Sequence, residues 1–364
     1  MAGLTGKRIV HYYPRAASGD GGVTNAMWAW AEAQAEFGLN VAVLHMEEPT
    51  RRPIPDSISS IGMPHIVGPS KRTLRPKRLE DHLTSDDVLI LHSGWLLHNL
   101  IAGRAAMKAS VPYVVVPHGA LFPKIRFRRR HLKGLWEPWE RALLRRAAAV
   151  HVFFDQEVNE ARSFSPSTPV IIGPTGAQPS QRTWTGGGGY IAWIGRFDIE
   201  HKGLDLLMET ARRFDPEDGP RFILHGKPSR NSSDEVKELA ESMGVGDLVA
   251  VNGPITGPEK DDFLNRAECY FHPSRWESYG ITIIEALGKG VPTIVGDGAH
   301  ISGLLEQQGA AVVSSLDPAD LEAALRQTLR QQNFLSASGA EFVNAHLAWP
   351  AIISSWVDQL EDLL

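Results

Sequence analysis

The chain has 364 residues, 43% of them hydrophobic, and 37 Lys and Arg against 42 Asp and Glu give a formal net charge of -5. That length exceeds one ordinary core and predicts two domains of roughly 150 to 200 residues, while the acidic balance argues against a dedicated nucleic-acid binder. Cys269 is the only cysteine, which excludes an intramolecular disulfide framework and a cysteine-built zinc cluster and fits a reducing cytoplasm.

Residues 1–10 carry Lys7 and Arg8 without the apolar core of a secretory signal. No apolar run approaches the roughly 20 residues that span a bilayer. The expectation is a cytoplasmic protein, soluble or at most peripheral at the inner membrane face. In the first half, strands are expected at KRIVHYY, NVAVLHM, DVLILHS, PYVVVPH and AVHVFFD, alternating with helical patterns as in βαβ units around a parallel sheet. After the first strand, Gly19, Gly21 and Gly22 precede a helix expected from near Val23 to just before Gly38. A glycine-rich turn at a helix N-terminus suits a phosphate or carboxylate. It matches neither GxGxxG nor the P-loop, and a surface turn is equally compatible.

His92 and His118 each follow a strand directly. At such a position a histidine either meets a ligand or caps a neighbouring carbonyl. Residues 123–146 are strongly cationic, with Phe127, Leu132, Leu135, Trp136 and Trp139 interleaved. This segment is a candidate contact for anionic lipid or a lipid-diphosphate acceptor. A solvated helix burying an aromatic stripe is equally compatible, and nucleic acid is a weaker rival.

Residues 173–189, rich in Gly, Pro, Ser and Thr, read as an inter-domain linker. Strands are then expected at YIAWIGR, RFILHGK, LVAVNGP, CYFHPSR, PTIVGDG and AAVVSS. Arg196 and Lys202, each beside a glycine, stand at the mouth of a helix with Leu204, Leu207 and Met208 on its buried stripe. Together they offer a fork and a point charge to a diphosphate. The glycines Gly195 and Gly203 are expected to let a ligand approach closely. In RWESYGITIIEAL, Glu277 lies before a helix expected to begin near Ile281 or Thr282, and Glu285 lies one turn inside it. The N–H groups of Tyr279, Gly280 and Ile281 would form an anion pocket, and each carboxylate suits a sugar diol. The C-terminal pattern predicts an amphipathic helix with Ile352, Ile353, Trp356, Leu360 and Leu363 near one face.

Four stretches together carry a family resemblance: Arg196 followed after five residues by Lys202 and Gly203, PSRWESYGITIIEALGKGVP over residues 273–292, PHG around His118, and the N-terminal GG loop. They resemble glycosyltransferase family 4, the glycosyl transferases group 1. The resemblance implies the α/β GT-B fold, two Rossmann-like doubly wound domains facing a central cleft. It also implies a retaining transferase that moves a hexose-type sugar from a UDP- or GDP-sugar, with no further cofactor. The acceptor would be a hydroxyl of a glycan, lipid-linked or small-molecule partner in polysaccharide or glycoconjugate biosynthesis. The division implied is an acceptor-side domain at 1–175, a linker at 176–189 and a nucleotide-sugar domain at 190–345. A C-terminal helix at 346–364 would return to the first domain.

Carried onto this sequence, the resemblance gives Glu285 the ribose hydroxyls and Glu277 the far hydroxyls of the transferred sugar. Arg196 and Lys202 would hold the diphosphate. Gly22, Ser278, Tyr279, Gly280 and Ile281 would line the donor, and His118 would touch the sugar near the reacting carbon. A loop at 225–228 and the segment 253–255, including Ile255, would flank the base. The usual Pro-Asn-Gly after the last strand of the first domain is here GPTGAQ, without the Asn. No DxD-like cluster closes a strand, so metal-independent transfer is expected. A nucleotide-sugar epimerase and a non-catalytic glycan-binding or nucleotide-sugar-binding module are the alternatives. A dehydrogenase is disfavoured by the missing GxGxxG.

Overall fold

The computed structural model describes residues 4, 6–17, 19, 21–49, 53–69, 73–122, 130–178, 181–215 and 219–364, with side chains of 130–133 left out. Phe127, one of the aromatics in the cationic segment, lies outside the described residues, as does the side chain of Leu132. The chain forms two units, Met1–Gly176 with Trp349–Leu364, and Ala177–Ala348.

In the first unit, strands β1 (Arg8–Tyr12), β2 (Asn40–Met46), β3 (Ile58–Met63), β6 (Asp87–His92), β7 (Tyr113–Val116), β8 (Ala149–Val152) and β9 (Val170–Ile172) form a parallel sheet in the order β3-β2-β1-β6-β7-β8-β9. A small antiparallel pair, β4 (His65–Ile66) and β5 (Arg75–Pro76), stands apart from it. Helices α1 (Gly22–Glu36), α2 (Leu97–Lys108), α3 (Arg130–Arg145) and α4 (Gln156–Phe164) connect the strands. The buried apolar strands β6 and β7 read as unbroken hydrophobic runs because helices cover both faces of such a sheet. Strand β3, ISSIGM, escapes the sequence reading. It is an edge strand held by β2 alone, and only Ile58 and Met63 of its six residues are buried.

In the second unit, β10 (Tyr190–Phe197), β11 (Arg221–Pro228), β12 (Val249–Asn252), β13 (Cys269–His272), β14 (Thr293–Gly296) and β15 (Val312–Ser314) pair in parallel in the order β12-β11-β10-β13-β14-β15. Its helices are α5 (Ile199–Lys202), α6 (Leu204–Ala211), α7 (Ser233–Ser242), α8 (Gly257–Arg266), α9 (Ile281–Lys289), α10 (Ser302–Gln307), α11 (Pro318–Arg330) and α12 (Gln332–His346). Trp193, Phe197, Leu204, Leu207, Met208 and Phe271 are fully buried at the centre of its core. Strand order reverses between β1 and β6 in the first unit and between β10 and β13 in the second. Open parallel sheets bind ligands beyond the strand C-termini at such switch points, so each unit offers one place where a site is expected.

Residues 181–189 form no helix or strand, as their composition predicts. They are nonetheless fastened: the N–H groups of Thr183 and Trp184 donate to Lys289 O, those of Thr185 and Gly186 to Asn265 O, and the Trp184 indole to Ala267 O at 2.7 Å. Helix α13 (Trp349–Glu361) belongs to the first unit and packs on α1 and β9. Trp349, Ile352, Ile353, Trp356, Val357 and Leu360 are buried there, while Leu363, expected on the same face, lies past the helix end and is exposed. Gly176 is required by this packing, since a Cβ there would enter the Trp349 indole.

Candidate active site

The second unit gathers most of the expected residues at its switch point. Strand β10 delivers Arg196 at its C-terminal end, exposed and with no hydrogen-bond or ion-pair partner among the described residues. The short helix α5 follows, capped by Asp198, whose carboxylate accepts the His201 N–H at 3.1 Å. It closes on Gly203 in the left-handed conformation, φ 61°. Lys202 is thereby turned inward and only 8% exposed. A Cβ at Gly203 would collide with Pro273 O, and one at Gly195 would meet the Trp193 ring at 2.7 Å. Both glycines are thus required by packing within this unit, Gly203 against Pro273 and Gly195 against the Trp193 ring.

The segment after β13 is held from several directions. Arg275 grips Asp205 through two bonds of 2.7 and 2.6 Å and also donates to Glu200 O. The His201 ring stacks on Trp276 at 4.5 Å and donates from Nε2 to Trp276 O at 2.8 Å. The Glu277 N–H donates to Gly298 O, and Glu277 O accepts the His300 N–H at 2.9 Å. The loop after β14 thus clamps the backbone of Glu277 on both sides. Gly298 permits the approach, because any Cβ would strike the Arg275 carbonyl. Sequence reasoning missed this clamp, because GDG reads as the end of the strand PTIVGDG and its contact with Glu277 exists only in the fold.

The Glu277 carboxylate is bonded to Lys202 Nζ and stands 3.6 Å from His272 Nε2. Burial alone would raise its pKa, but the Lys202 charge, with His272 close by, holds it well below the usual carboxylate range. Behind it His272 is itself anchored, Nε2 to Ser274 Oγ at 3.0 Å and Nδ1 to Tyr270 OH at 3.1 Å. Tyr270 OH donates to Thr282 Oγ1 at 2.7 Å, joining the network to helix α9. Burial lowers the pKa of His272, so the ring stays neutral. Burial, followed by the Lys202 charge, depresses His201 to about 4.

Helix α9 begins at Ile281 after Gly280, φ 75°. Its opening N–H groups have no partner within the helix and carry the positive end of its dipole. A Cβ at Gly280 would stand 3.3 Å from Glu277 Cγ, so the acid lies against this helix mouth. Ser278 is half-buried and Tyr279 is buried. Glu285, inside the helix, does not join Glu277: its carboxylate binds Lys260 of α8 at 2.7 Å. Lys260 lies in a polar helix, GPEKDDFLNR, where nothing in the sequence distinguishes it from a solvated lysine. Residues 225–228, expected as a loop beside a base, are the end of β11, paired with β10 as far as Phe197. His225 nevertheless reaches the expected second segment, with Nδ1 2.9 Å from Gly253 O, and Ile255 is buried after β12. A cavity of about 650 Å³ in this unit is lined by Asp198, Ile199, Glu200, Asp205, Arg230, Asn231 and Arg275. Its arginines already pair with its acids, and it contains none of the expected donor ligands.

In the first unit, α1 opens at Gly22, where a side chain would meet empty space. The conformational demand falls on Gly21 instead, at φ 126°. His118 is half-buried after β7 at φ 51°, and its Nε2 lies 2.9 Å from His92 Nδ1. Among the described residues no cluster of His, Cys, Asp or Glu suited to a metal is found. No described helix is long and apolar enough to cross a membrane.

Two doubly wound parallel units in one chain, each with polar side chains at its switch point, have the make-up of the GT-B fold. The sucrose-phosphate synthase of Thermosynechococcus elongatus shares this fold with a TM-score of 0.75 at 17% identity over 98% of this chain and 99% of that one. The Anabaena protein HepE, solved with UDP and glucose, does so with a TM-score of 0.74 at 14% identity over 98% and 100%. Residues 21–176 match the glycosyl transferase 4-like domain and residues 188–331 match the glycosyl transferases group 1. The chain belongs to the group 1 glycosyl transferase family. It is 28% identical over 179 residues to a D-inositol 3-phosphate glycosyltransferase of Geodermatophilus obscurus, a match covering 46% of this chain and 39% of that relative. Over 92% of this chain and 91% of the relative it is 23% identical to a phosphatidyl-myo-inositol mannosyltransferase of Mycobacterium leprae. The chain thus spans less than half of the first relative and nearly all of the second.

Proposed function

We propose that the protein is a retaining hexosyltransferase that takes its sugar from a UDP- or GDP-sugar. It passes that sugar to a hydroxyl of a glycan, lipid-linked or small-molecule acceptor in glycoconjugate biosynthesis. The observation that carries this reading is the Glu277 carboxylate, held ionised by Lys202 against the mouth of α9. Breaking the bond between an anomeric carbon and a nucleoside diphosphate puts negative charge on the β-phosphate. Lys202, the unpartnered Arg196 and the first N–H groups of α9 are the groups of this chain that would stabilise it. A diphosphate would compete with Glu277 for Lys202, freeing the carboxylate to accept sugar hydroxyls. Glu277 thus acts as a sugar binder, and the departing phosphate takes the acceptor proton as the acceptor attacks on the same face. Glu285 would bind the ribose, and Ile255 with the Gly253 backbone would border the base. Ser278, Tyr279, Gly280 and Ile281 would line the diphosphate. On the first unit, Gly22 would add an N–H donor and His118 would contact the transferred sugar.

For the acceptor, helix α3 leaves Leu135 74% and Trp139 49% exposed beside the exposed Arg145 and Arg146. These are the ingredients of peripheral contact with an anionic membrane, which agrees with action at the inner face from the cytoplasm. Failure to sediment with anionic vesicles at low salt would remove that part. The reaction is tested by incubating the protein with UDP- and GDP-hexoses. Slow release of nucleoside diphosphate and, with acceptor, a product of unchanged anomeric configuration by NMR are expected. An isomerised free nucleotide sugar, or an inverted product, would contradict the reading.

A further inference from the structure

A file of hydrogen-bonded side chains runs from the switch point of the first unit into its core. Gln34 Oε1 of α1 lies 2.7 Å from His11 Nε2, His11 Nδ1 lies 2.9 Å from His92 Nε2, and His92 Nδ1 lies 2.9 Å from His118 Nε2. Successive rings meet edge to edge, with centroids 5.2 Å apart at both steps and interplanar angles of 21° and 38°. Gln34, His11 and His92 are at most 2% exposed, so water does not interrupt the file. A fully buried glutamine on a helix is costly unless its amide is used; its Oε1 is spent on His11, and its Nε2 is buried with no hydrogen-bond partner among the described residues. Beside the file, His151 of β8 spends its Nε2–H on Gly173 O at 2.8 Å, and Phe153 presents an edge to His118.

We infer that Gln34, through His11 and His92, fixes which nitrogen of His118 carries the proton, so that His118 Nδ1 faces its ligand as an acceptor. Burial depresses His11 to about 4 and His118 to about 3 and keeps His92 well below its ordinary value. At neutral pH each ring therefore has one N–H and one lone pair. The Gln34 carbonyl accepts from His11 Nε2–H, which leaves His11 Nδ1 to accept from His92 Nε2–H. His92 Nδ1 in turn accepts from His118 Nε2–H. The lone pair on His118 Nδ1 is the free end of the file, suited to a hydroxyl that donates. Turning the Gln34 amide over would reverse every donor along it, so a residue remote from His118 sets the polarity. Gln34, His11 and His92 are positioning residues in this scheme. It rests on the proposed contact between His118 and the sugar.

Two-bond 1H–15N correlation of histidine-labelled protein reads the tautomer directly, with His118→Gln assigning the signal. In the unaltered protein His118 is expected as the Nε2–H tautomer; an Nδ1–H or averaged ring would overturn the inference. In Gln34→Met the His118 signal should move to an average of both tautomers. With a sugar nucleotide that is turned over, kcat should fall about tenfold, the lower end of what loss of an orienting partner costs at other sites, while the donor KM changes less than about twofold. An unmoved tautomer in folded Gln34→Met would also overturn it, and His92→Phe supplies a second cut of the file should that variant not fold. The tautomer is read with no donor present. Absence of turnover on every sugar nucleotide would therefore sink the transferase reading alone, and a wrong tautomer in an active enzyme would sink the relay alone.

Discussion

Lys202 is where burial and charge meet most closely. Its ammonium is almost fully enclosed and bound to Glu277, the bond for which a diphosphate would compete in the proposed reaction. Replacing Lys202 by Met, which keeps the length and removes the charge, should lower kcat about 100-fold, the range found when one preorganised donor is removed. Steady-state kinetics would check this, and a change below about threefold would separate Lys202 from the chemistry. At this scale the sequence was informative in part. Lys202 and Glu277 could be named because short motifs surround both. Lys260, Gly298 and the pairing of His11 with His92 could not, because each depends on a neighbour far away in the chain, and a lone lysine or strand histidine has many uses. His92 stood open between ligand and structural cap, and the structure gives it a histidine on either side.

Among the elements, α13 shows how an amphipathic pattern turns into stability. Trp356 is 1% exposed and lies against Trp30 and His151. Trp356→Ala should destabilise the protein by about 3 to 5 kcal/mol through lost burial and the cavity left behind. A chemical-denaturation midpoint within error of the parent would show that the helix adds nothing to the first unit. Most strands of the two sheets were legible because buried parallel strands are continuous apolar runs, although the three-residue β9 and the short β4 and β5 went unread. Strand β3 also went unread, since an edge strand needs only one neighbour and tolerates Ser59, Ser60 and Gly62. The loop that the resemblance implied at 225–228 is strand instead, as the apolar run RFILHGK had indicated, and it continues beside β10. Gly226 there packs against the Phe197 ring.

Across the whole molecule the buried and half-buried histidines impose a pH dependence. His11, His151 and His201 are depressed by burial to about 4, and His98 and His118 to about 3. The unfolded chain, with histidines near about 6.5, binds more protons than the folded one between that value and about 4. Stability is therefore fully present above the unfolded value and falls as pH drops through this window. Glu277, also depressed, adds a loss at still lower pH. The urea midpoint should be lower at about pH 5 than at about pH 7.5. An equal or higher midpoint at the acidic value would mean that these rings are not held neutral.

In the proposed reaction the two glutamates of RWESYGITIIEAL serve different parts of one sugar nucleotide. Their separate partners, Lys202 for Glu277 and Lys260 for Glu285, fit that division. Calorimetric affinity for UDP and GDP, measured beside turnover of the matching sugar nucleotide, tests it most directly. Glu285→Gln should weaken nucleotide binding about tenfold, the loss of a charged hydrogen bond worth roughly 1.5 kcal/mol. Glu277→Gln removes a competitor for Lys202, so it should leave nucleotide affinity unweakened while lowering kcat at least tenfold. The reverse order, with Glu277→Gln losing nucleotide and Glu285→Gln losing turnover alone, would contradict the account.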